Sequence, residues 1–260
     1  MTPRTSAQGR STAIDAATTS VEDYAKTIYG LAEWDGASVT ASALAKTLGV
    51  SNPSVSLMMR KMADLGLVEH RPYAPIALTG AGRQLALAMV RRHRLIETWL
   101  VRELGYGWGE VHEEAERLEH AVSKTFVERL DVRLGHPRVD PHGDPIPGPD
   151  LQLDYPETQL LCRVPAAMKV RLEQVDDAVP DALSALDAHR VPIGAQVTVE
   201  ATEGGAVVLT PLTPAAQNAG QASGQTGDGA GPGEAAEAPA ETSIRLAHEV
   251  AHAMRVSVVR

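Results

Sequence analysis

The sequence predicts a mainly helical protein with a small β content. Its parts are an N-terminal winged helix-turn-helix, a long-helix region carrying metal-binding side chains, and a C-terminal region of short β runs. Three observations predict this. Three short helical patterns are followed by two β-prone runs that flank a proline. Two long helical patterns then concentrate three histidines and several glutamates. Beyond a proline-rich stretch the apolar runs shorten and lose helical spacing.

Residues 1–17 are rich in Ser, Thr, Ala and Gly and are expected to form a disordered tail. Tyr24, Ile28 and Leu31 have helical spacing and place a first helix over 21–34. A second helix covers 40–48, with Thr40 as N-cap and Gly49 as the residue that ends it. Ser51-Asn52-Pro53 caps and starts a third, with Pro53 in the first turn where its missing N–H costs nothing. That helix runs through Val55, Met58, Met59 and Met62 to Gly66. Residues 67–71 and 76–79 read as the two strands of a wing, completing a module over 18–80. Long helices follow at 82–104 and 110–134, in a helical region over 81–140. Six prolines between 135 and 156 mark 141–157 as a linker. In the remaining region, 158–260, β-like runs occur at 160–164, 169–175, 196–200 and 206–209, with a helix at 180–189. Residues 213–243 lack every large apolar residue and are expected to be a disordered insertion. Order returns over 243–259 as a helical turn and a strand.

Composition narrows the function. The chain has 260 residues, 43% hydrophobic and only 3% aromatic, so its cores must be built from Leu, Val, Ile, Ala and Met. Cys162 is the only cysteine, which excludes an intramolecular disulfide and, with no secretory signal, points to the cytoplasm. No apolar run approaches the ~20 residues that cross a bilayer, so no membrane partner is expected. Net charge is −9, yet residues 40–94 hold eight Lys/Arg against two acids, a local balance of +6. A basic module on an acidic chain is an electrostatic footprint for double-stranded DNA. Within it Ser51, Asn52, Pro53, Ser54 and Ser56 open the third helix, where they can meet phosphates or base edges. Arg60 and Lys61 can reach the backbone. The competing reading is a winged helix used only for protein contacts.

His93-Arg94-Leu95-Ile96-Glu97 places an imidazole and a carboxylate one helical turn apart. His112, Glu116 and His120 repeat at i, i+4 and i+8, with Glu119 beside them. Nitrogen and oxygen donors at this density, with no thiolate among them, suit a borderline-to-hard divalent metal. They do not suit a cysteine zinc knot or an iron–sulfur centre. The bland alternative is charge on a solvated helix face. A di-metal carboxylate enzyme would want Glu-x-x-His on two helices. Here the order is His93 to Glu97 and Glu116-x-x-Glu119, and no nucleophile or general base stands apart, so no enzyme is expected.

These motifs together resemble the DtxR/MntR family of metal-dependent transcriptional repressors. The resemblance spans 18–260 apart from the insertion. It rests on Glu22-Asp23-Tyr24 before Ile28-Tyr29, on 51–56, on Leu78-Thr79-Gly80-Ala81-Gly82 and on Arg92-His93-Arg94-Leu95 through Glu97. It rests further on Val111-His112-Glu113-Glu114-Ala115-Glu116 through Glu119-His120, on Pro141-His142-Gly143-Asp144-Pro145-Ile146-Pro147-Gly148 and on the terminal Ala251–Val256 stretch. It implies a homodimer with a winged helix, a helical dimerisation and metal domain, and an SH3-like, FeoA-like β-barrel. It implies a primary site of Asp23, Glu116, Glu119 and His120, and an ancillary site of His93, Glu97 and His112, to which Asp177 and Asp181 of the barrel region can add ligands.

Iron-responsive members of the family carry Met and Cys where this chain has Asp23 and Glu116; manganese-responsive members carry carboxylates. The resemblance therefore implies Mn²⁺, with Fe²⁺, Co²⁺, Cd²⁺ or Zn²⁺ able to substitute in vitro. Lys26 stands where some manganese sensors have a second carboxylate, which favours separate primary and ancillary sites. Leu57 stands where a polar base-reading residue occurs in a relative, so it can offer only methyl contact. The expected function is a manganese-dependent repressor of manganese-uptake genes that reads a palindromic operator. An iron-dependent repressor and a winged-helix protein with a purely structural metal are the alternatives.

Overall fold

The computed structural model describes residues 18–34, 38–69, 74–203, 206–212 and 243–259. The expected tail at 1–17, wing residues 70–73 and all but the last residue of the expected insertion lie outside the described residues. The chain divides at Tyr155/Pro156 into two compact units.

The first unit opens with α1 (Thr19–Glu33), which buries Val21, Tyr24, Ala25, Ile28 and Tyr29. In α2 (Ala41–Thr47) the Thr40 hydroxyl accepts from the Ala43 amide. In α3 (Asn52–Asp64) Ser51 does the same for the Ser54 amide. Gly49 (φ 64°) and Gly66 (φ 70°) end these helices in the left-handed region that glycine enters without a Cβ penalty. The wing is β1 (Val68–Glu69) antiparallel to β2 (Ala77–Leu78), with Val68 opposite Leu78. Leu44, Val55, Met59, Met62 and Leu67 fill the core beneath the recognition helix α3. Each such fully buried side chain contributes roughly 1.5–3 kcal/mol.

The next helix, α4 (Gly80–Leu104), joins two cores. Leu85, Ala86, Leu87 and Val90 complete the winged-helix core. Leu95, Ile96 and Leu100 belong to a second core with Val111, Ala115, Val127, Leu130 and Ile146. A helix of 25 residues is about 37 Å long and carries no Pro or kink residue, so it couples the two cores rigidly.

The single helix expected over 110–134 is two helices, α5 (Trp108–Glu119) and α6 (Lys124–Arg133). Ser123 decides the break: its hydroxyl accepts from the Phe126 amide and caps a new helix. The stretch expected as a linker over 141–157 is not free-standing at its start. His142 and Ile146 are buried, and Arg91 and Arg94 donate to the Pro147 and Pro145 carbonyls. Proline removes donors but not acceptors, so this proline-rich chain serves two arginines.

The second unit is a six-stranded antiparallel sheet of order β3-β8-β4-β5-β6-β7, the SH3-like part of the predicted fold. Its strands are β3 (Gln159–Leu160), β4 (Met168–Val175), β5 (Gln196–Glu203), β6 (Ala206–Pro211), β7 (Ile244–Leu246) and β8 (Met254–Val258). The run expected as a strand over 160–164 instead turns into a 3-10 helix at Leu161–Arg163. Register shifts between Leu172 and Gln174 and between Val199 and Ala201 bend β4 and β5. Two helices pack here, α7 (Pro180–Ala188) and α8 (His248–His252). Among the described residues no helix is long and apolar enough to cross a membrane.

Candidate metal centre

Three helices of the first unit meet at one point. From α4 come His93 and Glu97, both nearly fully buried; from α5 come His112, Glu116, Glu119 and, at its C-cap, His120; from α1 come Glu22, Asp23 and Lys26. The break after Glu119 matters here. It ends α5 where Glu119 and His120 face α1, and Arg92 donates to the Glu119 carbonyl to satisfy that helix end.

Two donor clusters result, each with ligand atoms within 4.8 Å of one another: His93, Glu97 and His112, and Asp23, Glu119 and His120. In the first, His93 Nε2 lies 3.0 Å from Glu97 Oε1 and 3.3 Å from His112 Nδ1. In the second, His120 Nε2 lies 2.7 Å from Asp23 Oδ1. On the opposite nitrogen, Glu22 sits 3.0 Å from His120 Nδ1, which orients the ring. Glu116 belongs to neither cluster: half-exposed, it reaches His112 Nε2 at 3.6 Å and Lys26. The two clusters touch, because Glu119 Oε2 lies 2.7 Å from His93 Nδ1.

The sequence offered Lys26 only as a missing carboxylate. Its ammonium in fact donates to Glu119 at 2.6 Å and to Glu116 at 3.2 Å. Burial alone would lower the Lys26 pKa, but Glu119 and Glu116 outweigh it and hold it above its usual value. Burial likewise opposes the Glu119 carboxylate, yet His93 and Lys26 pull it below the usual range. Glu116 falls to about 2, chiefly through His112, with burial opposing and Lys26 adding to the fall. In the inner cluster burial works against both charges, but Glu97 raises His93 and His93 lowers Glu97. Asp23 goes the other way: burial raises it, more than His120 and Lys26 lower it. Five carboxylates (Glu22, Asp23, Glu97, Glu116, Glu119) converge on one ammonium and three imidazoles. A cation already stands among the carboxylates as a side chain, so the donor set fits a divalent ion.

Sequence reasoning gave no role to Asp140 and His142, which form a third buried group with Glu97. Their signal was the 141–148 motif itself: a histidine in a Gly/Pro turn is costly to bury without a task. Asp140 and Asp144 surround Arg94 at 3.6 and 3.4 Å, and Glu33 closes on the same guanidinium at 2.9 Å. Tyr155 donates to Glu33 at 2.6 Å, so the far end of α1 is tied down as well. Asp177, in the turn after β4, and Asp181, in the first turn of α7, lie in the second unit.

On α3 the candidate DNA-contact residues Ser51, Asn52, Pro53, Ser54, Ser56, Leu57, Arg60 and Lys61 are all exposed, Leu57 at 65%. Leu57 is thus free to offer the methyl contact expected of it. Ser51 also caps the helix, and Ser56 donates to the Asn52 carbonyl, so both have local roles besides.

Comparison with known proteins agrees with this geometry. Residues 16–76 match the family "Iron dependent repressor, N-terminal DNA binding domain". Residues 79–148 match "Iron dependent repressor, metal binding and dimerisation domain". The iron-dependent repressor IdeR of Mycobacterium tuberculosis is 33% identical over 251 residues, covering 92% of this chain and 96% of that protein. The diphtheria toxin repressor of Corynebacterium diphtheriae is 38% identical over 129 residues, 50% of this chain and 57% of that protein. A solved manganese-dependent transcriptional repressor in complex with manganese superposes with TM-score 0.77 at 35% identity, over 92% of this chain and all of that one. The manganese regulator SloR gives TM-score 0.68 at 30% identity, covering 92% of this chain and 98% of its own. With its winged helix, its three-helix donor cluster and these matches, the chain belongs to the DtxR/MntR family and is a metal-dependent transcriptional repressor, not an enzyme.

Proposed function

We propose that this repressor senses manganese: as a homodimer it binds a palindromic operator, of manganese-uptake genes, when Mn²⁺ occupies the α1–α4–α5 cluster. The observation that carries the reading is Asp23 against Glu119 and His120, an all-oxygen-and-nitrogen set without thioether or thiolate. Such a set does not enhance binding of softer ions and leaves Mn²⁺ selectivity to geometry and supply. Asp23, Glu119 and His120, with Glu116 beside them, would hold the primary ion. His93, Glu97 and His112 would hold the ancillary one.

A divalent ion held by Asp23, Glu119 and His120 would supply the positive charge that these donors lack. The chain's residues do the rest. Asp23 belongs to α1 of the DNA module, and Glu119 and His120 to the end of α5, so pulling them together fixes the winged helix on the helical domain. Glu22 keeps His120 turned to present Nε2. In a dimer this sets the spacing of two recognition helices, which a palindrome reads. By linkage, operator DNA must raise metal affinity by the factor by which metal raises DNA affinity.

Lys26 sets the reference state. Its ammonium neutralises Glu116 and Glu119 when no metal is bound and must leave at least one of them on binding. Lys26→Met is therefore expected to raise Mn²⁺ affinity about tenfold, the scale of a partly screened charge at this burial. Isothermal titration of the metal-depleted protein checks it; a weaker Mn²⁺ site in the variant would mean Lys26 supports the loaded state instead.

The name of the mycobacterial relative and the descriptions of the two matching families favour a second reading, iron. Fluorescence anisotropy of the metal-depleted protein on DNA from its own promoter, titrated with Mn²⁺ and, anaerobically, with Fe²⁺, separates the two. Binding at micromolar Mn²⁺ with more Fe²⁺ required supports manganese. Equal or better activation by Fe²⁺ moves the protein to iron, and binding indifferent to both metals makes the clusters structural.

A further inference from the structure

The second unit holds a donor set that the repressor mechanism does not use. Cys162, in the 3-10 turn after β3, faces His248 and His252, which stand at i and i+4 on α8. One donor atom from each lies within 4.8 Å of the others. Cys162 Sγ is 3.6 Å from His252 Nδ1, across 90 residues of sequence. The two imidazoles are tilted by 36° with centroids 6.1 Å apart, and each has a nitrogen within 4.8 Å of the sulfur.

That spacing has a chemical meaning. With Zn–S near 2.3 Å and Zn–N near 2.0–2.1 Å, a tetrahedral zinc ion separates its sulfur and nitrogen ligands by about 3.6 Å. The Cys162–His252 distance matches this, and it also matches a weak S–H···N hydrogen bond, which is the competing reading. The third ligand separates them: a hydrogen bond needs no second imidazole, whereas His248 sits one turn away on the same helix face. His248 is exposed and the other two are half-buried, so the cluster is reachable from solvent. A thiolate and two imidazoles form a soft set that disfavours Mn²⁺ and prefers zinc-like ions.

We infer that Cys162, His248 and His252 form a further metal site in the C-terminal unit, selective for a borderline-soft divalent ion such as Zn²⁺. It would be chemically distinct from the oxygen-rich centre of the first unit. Its ion staples the turn after β3 to α8 and so ties the first strand of the sheet to the segment that leads into its last. Ion binding stabilises this unit by mass action, independently of the DNA-reading helices.

The test uses the sole-cysteine composition of the full chain. Metal-depleted, reduced protein is titrated anaerobically with Co²⁺ and its near-ultraviolet absorbance followed. A thiolate-to-cobalt charge-transfer band can arise only at Cys162, even while Co²⁺ fills the other centre. Expected is one such ion per chain, displaced by Zn²⁺, absent in Cys162→Ser, at least tenfold weaker in His248→Ala and in His252→Ala, and unchanged in Asp23→Ala. No band at saturation, or a band unaltered in the double histidine variant, overturns the site. A second readout needs no variant: Zn²⁺, but not Mn²⁺, should protect Cys162 from alkylation. Alkylation at equal rates with and without Zn²⁺ would leave the cysteine and histidines as a hydrogen-bonded pair and a neighbour.

Discussion

An Asp23→Ala repressor is expected to stay folded and dimeric while losing metal-stimulated operator affinity by more than about 100-fold, the upper range of a typical coupling between sites. Asp23 is part-exposed at 38% and touches His120 through one oxygen, so its removal opens no cavity and breaks no core contact. What is lost is the α1 carboxylate of the primary cluster. The inner cluster of His93, Glu97 and His112 draws no donor from α1 and should still bind. Mn²⁺ stoichiometry should therefore fall by one per chain while DNA binding without metal is unchanged. Glu22 is the informative control. It holds His120 from the other nitrogen, so Glu22→Ala should cost about 10- to 100-fold in metal affinity yet leave full activation at saturating Mn²⁺. Anisotropy titrations on operator DNA decide it, and an Asp23→Ala protein with wild-type metal dependence would sink the coupling mechanism.

The second large effect lies at the start of α4. A Cβ added to Gly82 would stand 1.9 Å from the Leu67 carbonyl oxygen and 2.9 Å from its carbon, both backbone atoms, with Leu78 Cδ2 at 3.2 Å. Backbone cannot rotate aside, so the helix must move off the wing. The move breaks a compact set of bonds: the Thr79 hydroxyl accepts from the Gly82 amide at 3.1 Å and donates to the Gly66 carbonyl at 2.7 Å, while the Thr79 amide donates to Leu67. Alanine gains up to about 1 kcal/mol of helix propensity over glycine. Against this stand about 1–3 kcal/mol of overpacking and about 1 kcal/mol for the lost cap. Gly82→Ala should be destabilising by about 1–3 kcal/mol, read as a lower urea midpoint, with operator affinity lost alongside. Gly80, two residues earlier, has open space around it, so Gly80→Ala should be neutral or slightly stabilising. Equal midpoints for the two variants would contradict the packing.

What was legible in the sequence and what was not divides along physical lines. Helix caps are local chemistry, and Thr40, Gly49 and Ser51 announced their helices because each acts on neighbours a few residues away. The i and i+4 placement of His93 with Glu97 and of His112 with Glu116 was legible for the same reason. The break at Ser123 was missed although it too is a cap, because continuous helical periodicity masked it. Gly82 could be read as a helix residue, but its close approach to Leu67 is a tertiary fact. Lys26 was legible as an absence of carboxylate; that its ammonium spans Glu116 and Glu119, some 90 residues away, follows only from how α1 lies on α5. Asp140 and His142 escaped because prolines around them suggested exposed chain, whereas the carbonyls of that chain are buried acceptors for arginines. The approach of Cys162 to His252 on α8 spans 90 residues of sequence and left no local trace.

Arg94 and the residues it gathers turn α1 into a lever. At one end Glu33 is clamped to the guanidinium and bonded by Tyr155. Asp23 lies ten residues away, about 15 Å along the axis. With Glu33 as the pivot, a 1 Å displacement of Asp23 is a tilt of about 4° that α1 makes together with the core it buries. A ligand closing on Asp23 would therefore act on the whole module through a long arm. The guanidinium fork, with donors fixed in one plane, is what lets the pivot resist torque; a lysine in its place would be a ball joint.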